Sequence, residues 1–477
     1  MLNRLLPIVL LIVAGLAGFW LFSSGGITGA EFAGATGELA PNIPAKVDEY
    51  LNAYVSQDRF SGSVLIAQGD HIIVRKGYNQ ADREHDVPNT PETKFRLGSV
   101  TKQFTAVAVL QLQQQGQLNL DDTLSTYLPD YPHGDRITIE NLLNHTSGIP
   151  NFTSFDDYQQ VMRRDLSPPE IIDRFKDMDL GFQPGSQYSY SNSNYVLLGH
   201  LIEQISGQSY ASFLREHVFD PLGMDDSGYD RRATILSHRA EGYNMNAQGE
   251  LVNAAFIDMS IPYAAGALYS TVDDLHKWDR ALDTDRLLSA SLREQMFTPG
   301  KGDYGYGWII DEYAGHKRVS HGGGVNGFVS NIARFPEDDV VIAVLSNFIH
   351  APIGQLSQDL AAIVFGQNYR LPEQRTAIQL DPELLERYVG TYQLNGQTLI
   401  TITREGDHLG IQLTGQPMFG LYAKSKTEFF LKQVDAEVTF VTDDAGNVTR
   451  LILHQAGHDM PAPRVNGDPS GGESSGD

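Results

Sequence analysis

The chain has 477 residues, of which 41% are hydrophobic and 20% charged, so it can form one large domain with an accessory module and is not a disordered chain. Its 35 Lys and Arg residues against 59 Asp and Glu residues give a net charge of -24, which disfavours nucleic acids as partners. The sequence has 0 cysteines, which excludes disulfides, thiol catalysis, thiolate zinc sites and iron–sulfur clusters.

The N-terminus carries an uncharged apolar run, residues 5–22, between Arg4 and a stretch rich in Gly and Ser. Such a run predicts a secretion signal or a membrane anchor, because about 18 apolar residues just suffice to cross a bilayer. We therefore assign residues 1–30 to a signal peptide, with a candidate cleavage after Ala30, or to an N-terminal membrane anchor. Both alternatives predict an exported body, either periplasmic or anchored to the membrane outside the cytoplasm.

The body of the chain alternates between strand-rich and helix-rich segments. Short β-branched runs at residues 61–67 and 72–76 predict a hairpin, residues 100–282 show mostly helical spacing, and strands return from residue 318. Strands from both ends of this region can share one sheet, with the helical region inserted between them. The predicted fold class is therefore α/β of the α+β kind: an antiparallel sheet flanked by helices, with an inserted helical lobe, over residues 40–368.

The C-terminal part differs in composition. Residues 369–380 include Pro372 and predict a linker. Residues 381–465 alternate apolar and polar side chains between short turns, which predicts an all-β barrel or sandwich, and we expect a barrel. The low-complexity tail, residues 466–477, is predicted to be disordered.

The first candidate catalytic pair is Ser99 and Lys102, at the start of a predicted helix that ends near Gly116. A spacing of three puts both side chains on one helix face, beside the free N–H groups of the first turn. Serine is a weak nucleophile without an adjacent proton acceptor, and a desolvated lysine can be that acceptor. The structural alternative is a solvated serine and lysine, since this short motif is weak by itself.

A second candidate element is the loop of residues 184–195, which contains Tyr190, Ser191 and Asn192. A tyrosine near cations can hold its proton loosely and relay it, and an asparagine amide can orient a lysine and a substrate. The alternative is a polar loop that caps the next helix, with Ser193 or Asn194 at the N-cap.

A third element is the predicted strand that carries His321 followed by Gly322, Gly323 and Gly324. Glycines within a strand indicate that a ligand or another backbone approaches closely, so these residues are candidates for substrate binding. A β-bulge is the competing interpretation.

The sequence predicts neither a metal site nor a cofactor. Most other histidines are dispersed, without the helical pair plus glutamate of a metallohydrolase: His71, His85, His133, His145, His200, His217 and His276. We interpret His145 as part of a structural turn that supports the site. Trp278 and Trp308 are expected in the core or a pocket wall.

Together, these motifs resemble the serine β-lactamase and penicillin-binding-protein superfamily, specifically its class C-like branch, which includes relatives of D-Ala-D-Ala carboxypeptidase and esterases. The resemblance extends over residues 47–365 and rests on the co-ordered segments FRLGSVTKQFTA, LLNHTSGIP, YSYSNSNYVLLG, PLGM, AGALYSTVDDL, YGYGW and SHGGGVNGF. It implies a β-lactamase-like fold and an acyl-enzyme mechanism. The C-terminal module resembles the lipocalin-like barrels often appended to this family, and we favour a structural or oligomerisation role over ligand binding.

By this resemblance, Ser99 is the acylated nucleophile, and Lys102 and Tyr190 share the acid and base work. Asn192 helps to hold the lysine and the substrate, and the oxyanion hole is formed by the backbone N–H groups of Ser99 and Gly324. His321 stands where many relatives have the lysine of a Lys-Thr-Gly triad, and Gly322 replaces its threonine.

The histidine changes the expected substrate. A lysine there is charged and binds a carboxylate, whereas a histidine of pKa near 6.5 is mostly neutral at pH 7. We therefore expect small neutral esters or peptides to be hydrolysed at least as well as β-lactams. The alternative from another class is a non-catalytic binding or scaffold protein that kept the fold.

Overall fold

The structure is a computed structural model that describes residues 39–373, 375–396, 398–455 and 458–465. The predicted signal or anchor and the predicted tail lie outside the described residues. The chain divides into two compact units: within the described residues, the first comprises 39–244 and 253–372, and the second 245–252 and 373–465. The boundary after Pro372 falls inside the predicted linker.

The helices of the first unit surround its sheet. In chain order they are α1 (Ile43–Val55), α2 (Thr101–Gln114), α3 (Ile139–Leu143), α4 (Tyr158–Val161), α5 (Pro168–Ile172), α6 (Asn192–Ser206), α7 (Tyr210–Leu214), α8 (Asp220–Leu222), α9 (Tyr263–Gly266), α10 (Val272–Leu282), α11 (Ala290–Met296) and α12 (Ile353–Val364). The described helices include none that is long and apolar enough to span a membrane.

The strands up to the end of the first unit are β1 (Gly62–Gln68), β2 (His71–Tyr78), β3 (Gln80–Asp82), β4 (Val87–Pro88), β5 (Phe95–Arg96), β6 (Gly228–Tyr229), β7 (Tyr243–Met245), β8 (Leu251–Asn253), β9 (Leu268–Ser270), β10 (Ile309–Tyr313), β11 (His316–Val325), β12 (Phe328–Phe335) and β13 (Val340–Ser346). In the part of the chain that the structure describes, the main sheet has six antiparallel strands in the order β10-β11-β12-β13-β1-β2. Strands from both ends of the sequence thus share one sheet around an inserted helical region, and the predicted fold class is confirmed.

The sheet is covered by helices, and its central strands are buried on both faces. Every residue of β12 and β13 is buried. Helix α12 packs on these two strands, α10 on β13 and β1, and α1 on β2. The nearly continuous apolar run of β13 must be covered on both sides to escape water.

Helix α2 runs through the core of the unit and positions the site. Its residues from Thr101 to Leu112 are all buried, which fits a helix without a polar face. It packs against α6 and α9, and the short 3-10 turn that precedes it, Gly98–Val100, packs on β11 and β12. This turn carries Ser99 against the edge of the main sheet.

The second unit is a nearly closed antiparallel barrel, preceded by α13 (Pro382–Glu386). Its eight strands, counted over the described residues, are β14 (Gly390–Gln393), β15 (Leu399–Glu405), β16 (His408–Leu413), β17 (Phe419–Ala423), β18 (Glu428–Leu431), β19 (Ala436–Thr442), β20 (Val448–Gln455) and β21 (His458–Pro463). A bridge between Tyr392 and Arg464 joins the first strand to the last. The interior is filled by side chains such as Leu421, Phe429 and Phe440.

Residues 245–252 belong to the barrel unit although they lie far upstream in the sequence. Within that unit, Gly420 N donates to Ala247 O over 3.0 Å, and the Gln433 side chain donates to Asn246 O over 3.1 Å. The sequence pattern alone did not predict this segment as part of the C-terminal module.

Candidate active site

The backbone just before Ser99 is held in place by two hydrogen bonds of Leu97. Leu97 N donates to Leu268 O on β9 over 2.8 Å, and Ser330 Oγ on β12 donates to Leu97 O over 2.6 Å. The backbone before Ser99 is therefore fixed between two sheets, while Ser99 itself remains half-buried.

Two glycines allow this turn to touch strand β11. Gly98 has a left-handed φ of 53°, and a Cβ at this residue would lie 2.6 Å from Gly324 N. A Cβ at Gly323 would overlap the carbonyl oxygen of Leu97 and lie 3.0 Å from Ser99 N. Only glycine fits such an approach of two backbones. Because the pairing of β11 with β12 continues without a register shift from residue 319 to 325, the bulge interpretation of these glycines is wrong.

The Lys102 ammonium group lies at the centre of the site. Its Nζ is 3.0 Å from Ser99 Oγ, and it donates to Asn192 Oδ1 and to Ala265 O, each over 2.8 Å. Its side chain is buried, and burial lowers the pKa of Lys102 well below its ordinary value. Two acceptors thus fix two N–H bonds of Lys102, and the third position of its nitrogen faces Ser99 Oγ.

Asn192 is oriented by residues from the preceding loop. Its backbone N donates to Asn151 Oδ1 over 3.0 Å, and its Nδ2 donates to Thr153 Oγ1 over 3.1 Å. The Thr153 hydroxyl in turn donates to Asn151 Oδ1 over 3.1 Å. The amide of Asn192 therefore presents its oxygen, and not its nitrogen, to Lys102.

His145 supports the Tyr190 loop, as the sequence predicts. Its backbone has a left-handed φ of 59°, and its ring lies 4.0 Å from the Tyr190 ring, centroid to centroid. Ser191 N donates to His145 Nδ1 over 3.2 Å. Burial and the charges of Lys102 and His321 lower the pKa of His145 well below its ordinary value, so the ring is a neutral acceptor.

Tyr190 lies beside the pair of Ser99 and Lys102. The Lys102 Nζ is 4.8 Å from the centroid of the Tyr190 ring. Burial raises the pKa of Tyr190 well above its ordinary value, although a hydrogen bond with Ser99 opposes this. The expectation of a loosely held proton is therefore wrong, because the effect of burial on the pKa of Tyr190 exceeds that of the hydrogen bond with Ser99. The phenol is neutral and can both donate and accept.

His321 is buried beneath this group. Its Nδ1 lies 2.6 Å from Gly322 O, and its Nε2 lies 2.9 Å from the hydroxyl of Tyr304. Burial, with a contribution from the charge of Lys102, lowers the pKa of His321 to about 3. His321 is consequently neutral at pH 7, as the sequence predicts, and burial adds to the effect of its ordinary pKa.

Comparison with known proteins identifies the group to which this arrangement belongs. Residues 44–361, well over half of the chain, match the family described as Beta-lactamase. The chain belongs to the β-lactamase family. It is thus a hydrolase-family chain of the serine β-lactamase and penicillin-binding-protein type, which confirms the resemblance seen in the sequence. Residues 374–469 match a domain of unknown function, DUF3471.

Relatives of this β-lactamase-family chain cover most of its length. It is 31% identical over 438 residues to Penicillin-binding protein 4* of Bacillus subtilis (strain 168), which covers 85% of this chain and 95% of the relative. The solved structure of the octameric penicillin-binding protein homologue from Pyrococcus abyssi has a TM-score of 0.62 at 26% identity and covers 88% of this chain and 99% of its own. D-stereospecific amidohydrolase from Streptomyces sp. has a TM-score of 0.61 at 26% identity and covers 68% of this chain and 99% of its own.

The β-lactamase-family site brings together the residues singled out in the sequence: Ser99, Lys102, Tyr190, Asn192, His321, Gly322, Gly323 and Gly324. Sequence reasoning missed Asn151, Thr153 and Tyr304, which act through these residues. Asn151 directly follows the LLNHTSGIP motif, and Tyr304 is the first residue of the YGYGW motif. These two motifs were therefore the sequence signals that could have pointed to both residues.

Two structural alternatives from the sequence can be compared with the fold. Helix α6 begins at Asn192 with Ser191 at its N-cap, so neither Ser193 nor Asn194 is the cap. Trp278 and Trp308 are fully buried, as expected for core residues. Within the described ranges, His, Asp and Glu side chains form no group of three that could hold a metal ion.

Proposed function

We propose that this chain is a serine hydrolase that forms an acyl-enzyme on Ser99, without a metal or an organic cofactor. The observation that carries the proposal is the buried Lys102 amine, of lowered pKa, 3.0 Å from the Ser99 hydroxyl. A weak nucleophile beside a neutral base is the arrangement that nucleophilic catalysis requires.

Acylation would proceed through these residues. Lys102 takes the proton of Ser99 as Oγ bonds to the substrate carbonyl carbon, and the N–H groups of Ser99 and Gly324 hold the resulting oxyanion. Tyr190 passes the proton to the leaving amine or alcohol as the C–N or C–O bond breaks. A water then attacks the acyl carbon and loses its proton to the same Lys102 and Tyr190 pair. The bond from this carbon to Ser99 Oγ breaks, the pair returns the proton to Oγ, and the acid is released.

The substrate side of the proposal concerns charge. A neutral His321 beside Gly322–Gly324 lacks the positive charge that grips a carboxylate, so we propose amide or ester bonds of small peptides and esters as substrates, with β-lactams turned over no better. D-stereospecific amidohydrolase, which shares the fold at 26% identity, supports the amide class. Carboxylesterase activity is the alternative within hydrolases.

The test is intact-mass spectrometry of the chain from Glu31 onward, followed over time after adding penicillin or an aryl ester. We expect an acyl adduct with at least one reagent, absent in Ser99→Ala and retained in the control Ser289→Ala, whose exposed serine directly precedes α11. An adduct that survives Ser99→Ala refutes the nucleophile. Substrate binding without any adduct or hydrolysis favours the non-catalytic scaffold.

We further propose that the chain is exported, with residues 1–30 either cleaved or retained as an anchor through residues 5–22. The length and apolarity of that run support this. Cell fractionation with N-terminal sequencing tests it: a mature N-terminus at Glu31 means cleavage, an intact one in membranes means anchorage, and a cytoplasmic full-length chain contradicts export.

For the barrel we propose a structural or oligomerisation role. Its interior is filled by its own apolar side chains, which leaves ligand binding the weaker alternative. The homologue from Pyrococcus abyssi, which covers 88% of this chain, is octameric. Sedimentation velocity of the chain from Glu31 onward tests oligomerisation, and a monomer at micromolar concentration contradicts it.

A further inference from the structure

Both ring nitrogens of His321 are engaged by the protein itself. A carbonyl oxygen can only accept, so the 2.6 Å contact between Nδ1 and Gly322 O requires a proton on Nδ1. A neutral ring then carries a lone pair on Nε2, which accepts from the Tyr304 hydroxyl 2.9 Å away; the same hydroxyl also contacts the hydroxyl of Tyr195. The tautomer of His321 is thus determined by its two partners.

We propose that Tyr304 is a specificity-determining positioning residue: its hydrogen bond to Nε2, here called the latch, holds His321 as a neutral imidazole and so disfavours substrates that carry a carboxylate. This rests on the proposed function, because it concerns the substrates of the same site. A protonated His321 would need a hydrogen on Nε2, where the phenol hydrogen lies. Binding a proton therefore requires Tyr304 to break its hydrogen bond and turn its O–H away.

Tyr304 is well placed for this because its backbone is paired and its side chain is buried. Gly300 N donates to Tyr304 O over 3.0 Å, and Tyr304 forms a bridge with Ile309 at the start of β10. The Tyr304 side chain is 1% exposed, and its ring meets His321 edge-on, at 81° and 5.7 Å between centroids. A buried phenol whose backbone is hydrogen-bonded keeps its O–H directed at one acceptor better than an exposed phenol does.

The other titratable groups around His321 act in the same direction. Lys102 lowers the proton affinity of His321 when its amine is protonated, and a protonated His321 lowers that of His145. The Tyr190 ring lies 6.3 Å from His321, centroid to centroid, and its phenol stays neutral. Removing the Tyr304 hydroxyl therefore relieves one of several constraints and should shift the protonation of His321 without ionising its neighbours.

The latch can be tested without turnover by NMR of the chain from Glu31 onward, labelled with ¹⁵N-histidine. The His321 signals are assigned by their loss in His321→Gln. We expect the Nδ1–H tautomer and no titration down to about pH 4. In Tyr304→Phe we expect titration to move toward pH 6.5, whereas the control Tyr306→Phe, which loses a hydroxyl bonded to Glu140, leaves it unchanged. An Nε2–H tautomer, or equal behaviour of both variants, overturns the latch.

Selectivity is tested with two aryl esters of the same acid, whose leaving groups differ only in a meta carboxylate or a meta carboxamide. For Tyr304→Phe we expect kcat/KM for the carboxylate ester, relative to the carboxamide ester, to rise about tenfold at pH 5.5 and to stay unchanged at pH 8. A merely structural role would lower both rates equally, and that result overturns the specificity role. If the unmodified chain hydrolyses neither ester, the specificity role fails together with the proposed function, while the NMR result still decides the latch.

Discussion

Lys102 depends on burial for its proposed role. An ordinary lysine is an ammonium at neutral pH and cannot take a proton, but the buried Nζ between Asn192 and Ala265 has a lowered pKa. We predict that Lys102→Ala slows acylation of Ser99 by about 10²–10⁴, the usual contribution of a general base. Stopped-flow measurement of the phenol released from an aryl ester gives this rate.

A second substitution separates basicity from charge. Lys102→Arg keeps a cation that cannot be deprotonated, so we expect a loss as large as in Lys102→Ala. If the arginine variant acylates at the rate of the unmodified chain, Lys102 contributes only its charge and another group is the base.

Thr153 orients the amide that faces Lys102. Thr153→Val keeps the shape but removes the acceptor for Asn192 Nδ2, so Asn192 can rotate and expose Lys102 to its amide nitrogen. We predict that kcat for an aryl ester falls about tenfold while KM changes little. An unchanged kcat, with folding verified by circular dichroism, would mean that Asn151 alone suffices to hold Asn192.

At this scale the helical spacing predicts the contact of Ser99 with Lys102, whereas Asn192 and His321 are named through the family resemblance and the residues that position them are missed. Ser99 and Lys102 share one helical turn, so their spacing predicts their meeting. Thr153 and Asn192 are 39 positions apart in the sequence, and Tyr304 and His321 are 17 apart. Each pair meets through a hydrogen bond that the periodicity of the sequence does not predict.

Strand β11 contacts the nucleophile turn through its glycines, and this contact can be tested at neighbouring positions. A Cβ at Gly323 would overlap the Leu97 carbonyl and press on Ser99 N, so Gly323→Ala must push the strand from the turn. We predict that Gly323→Ala lowers kcat/KM for an aryl ester by at least about 100-fold and the stability by about 1–3 kcal/mol.

The matched control lies one residue away. A Cβ at Gly322 would meet its nearest neighbours, Asn331 and Ser330, only at 3.7 Å, which is ordinary contact. Gly322→Ala should therefore fold with nearly the stability of the unmodified chain, and any loss of activity should be much smaller than in Gly323→Ala. Equal activity of the two variants in a kinetic and thermal-unfolding comparison would show that the close approach is not required.

For the whole molecule, the sequence predicts the architecture well where the hydrophobic periodicity and the length of a segment indicate the same type of secondary structure. Alternation in residues 381–465 predicted the barrel, and β-branched runs at both ends of the first unit predicted its shared sheet. Residues 245–252 could not be assigned to the barrel unit, because their partners, such as Gln433, lie nearly two hundred positions downstream. Long-range pairing of this kind leaves no local signal.

Buried neutral histidines also make the stability of the whole chain depend on pH. In the unfolded chain His321 has a pKa near 6.5, whereas burial and Lys102 lower the pKa of His321 to about 3 in the folded chain. Between these two pH values the unfolded chain binds more protons, so the free energy of unfolding falls as pH falls from about 6.5 to 3. His145, whose pKa is also lowered by burial, adds to the same slope.

We predict that His321→Gln flattens this dependence, because glutamine binds no proton in either state. In urea unfolding at pH 7 and pH 4, the loss of unfolding free energy on acidification should be smaller in His321→Gln, by on the order of a few kcal/mol. His85→Gln is the control. Asp82 raises the pKa of this exposed histidine, so replacing His85 cannot reduce the loss of unfolding free energy on acidification. If His321→Gln and the unmodified chain lose equal free energy on acidification, His321 is not held neutral in the folded chain.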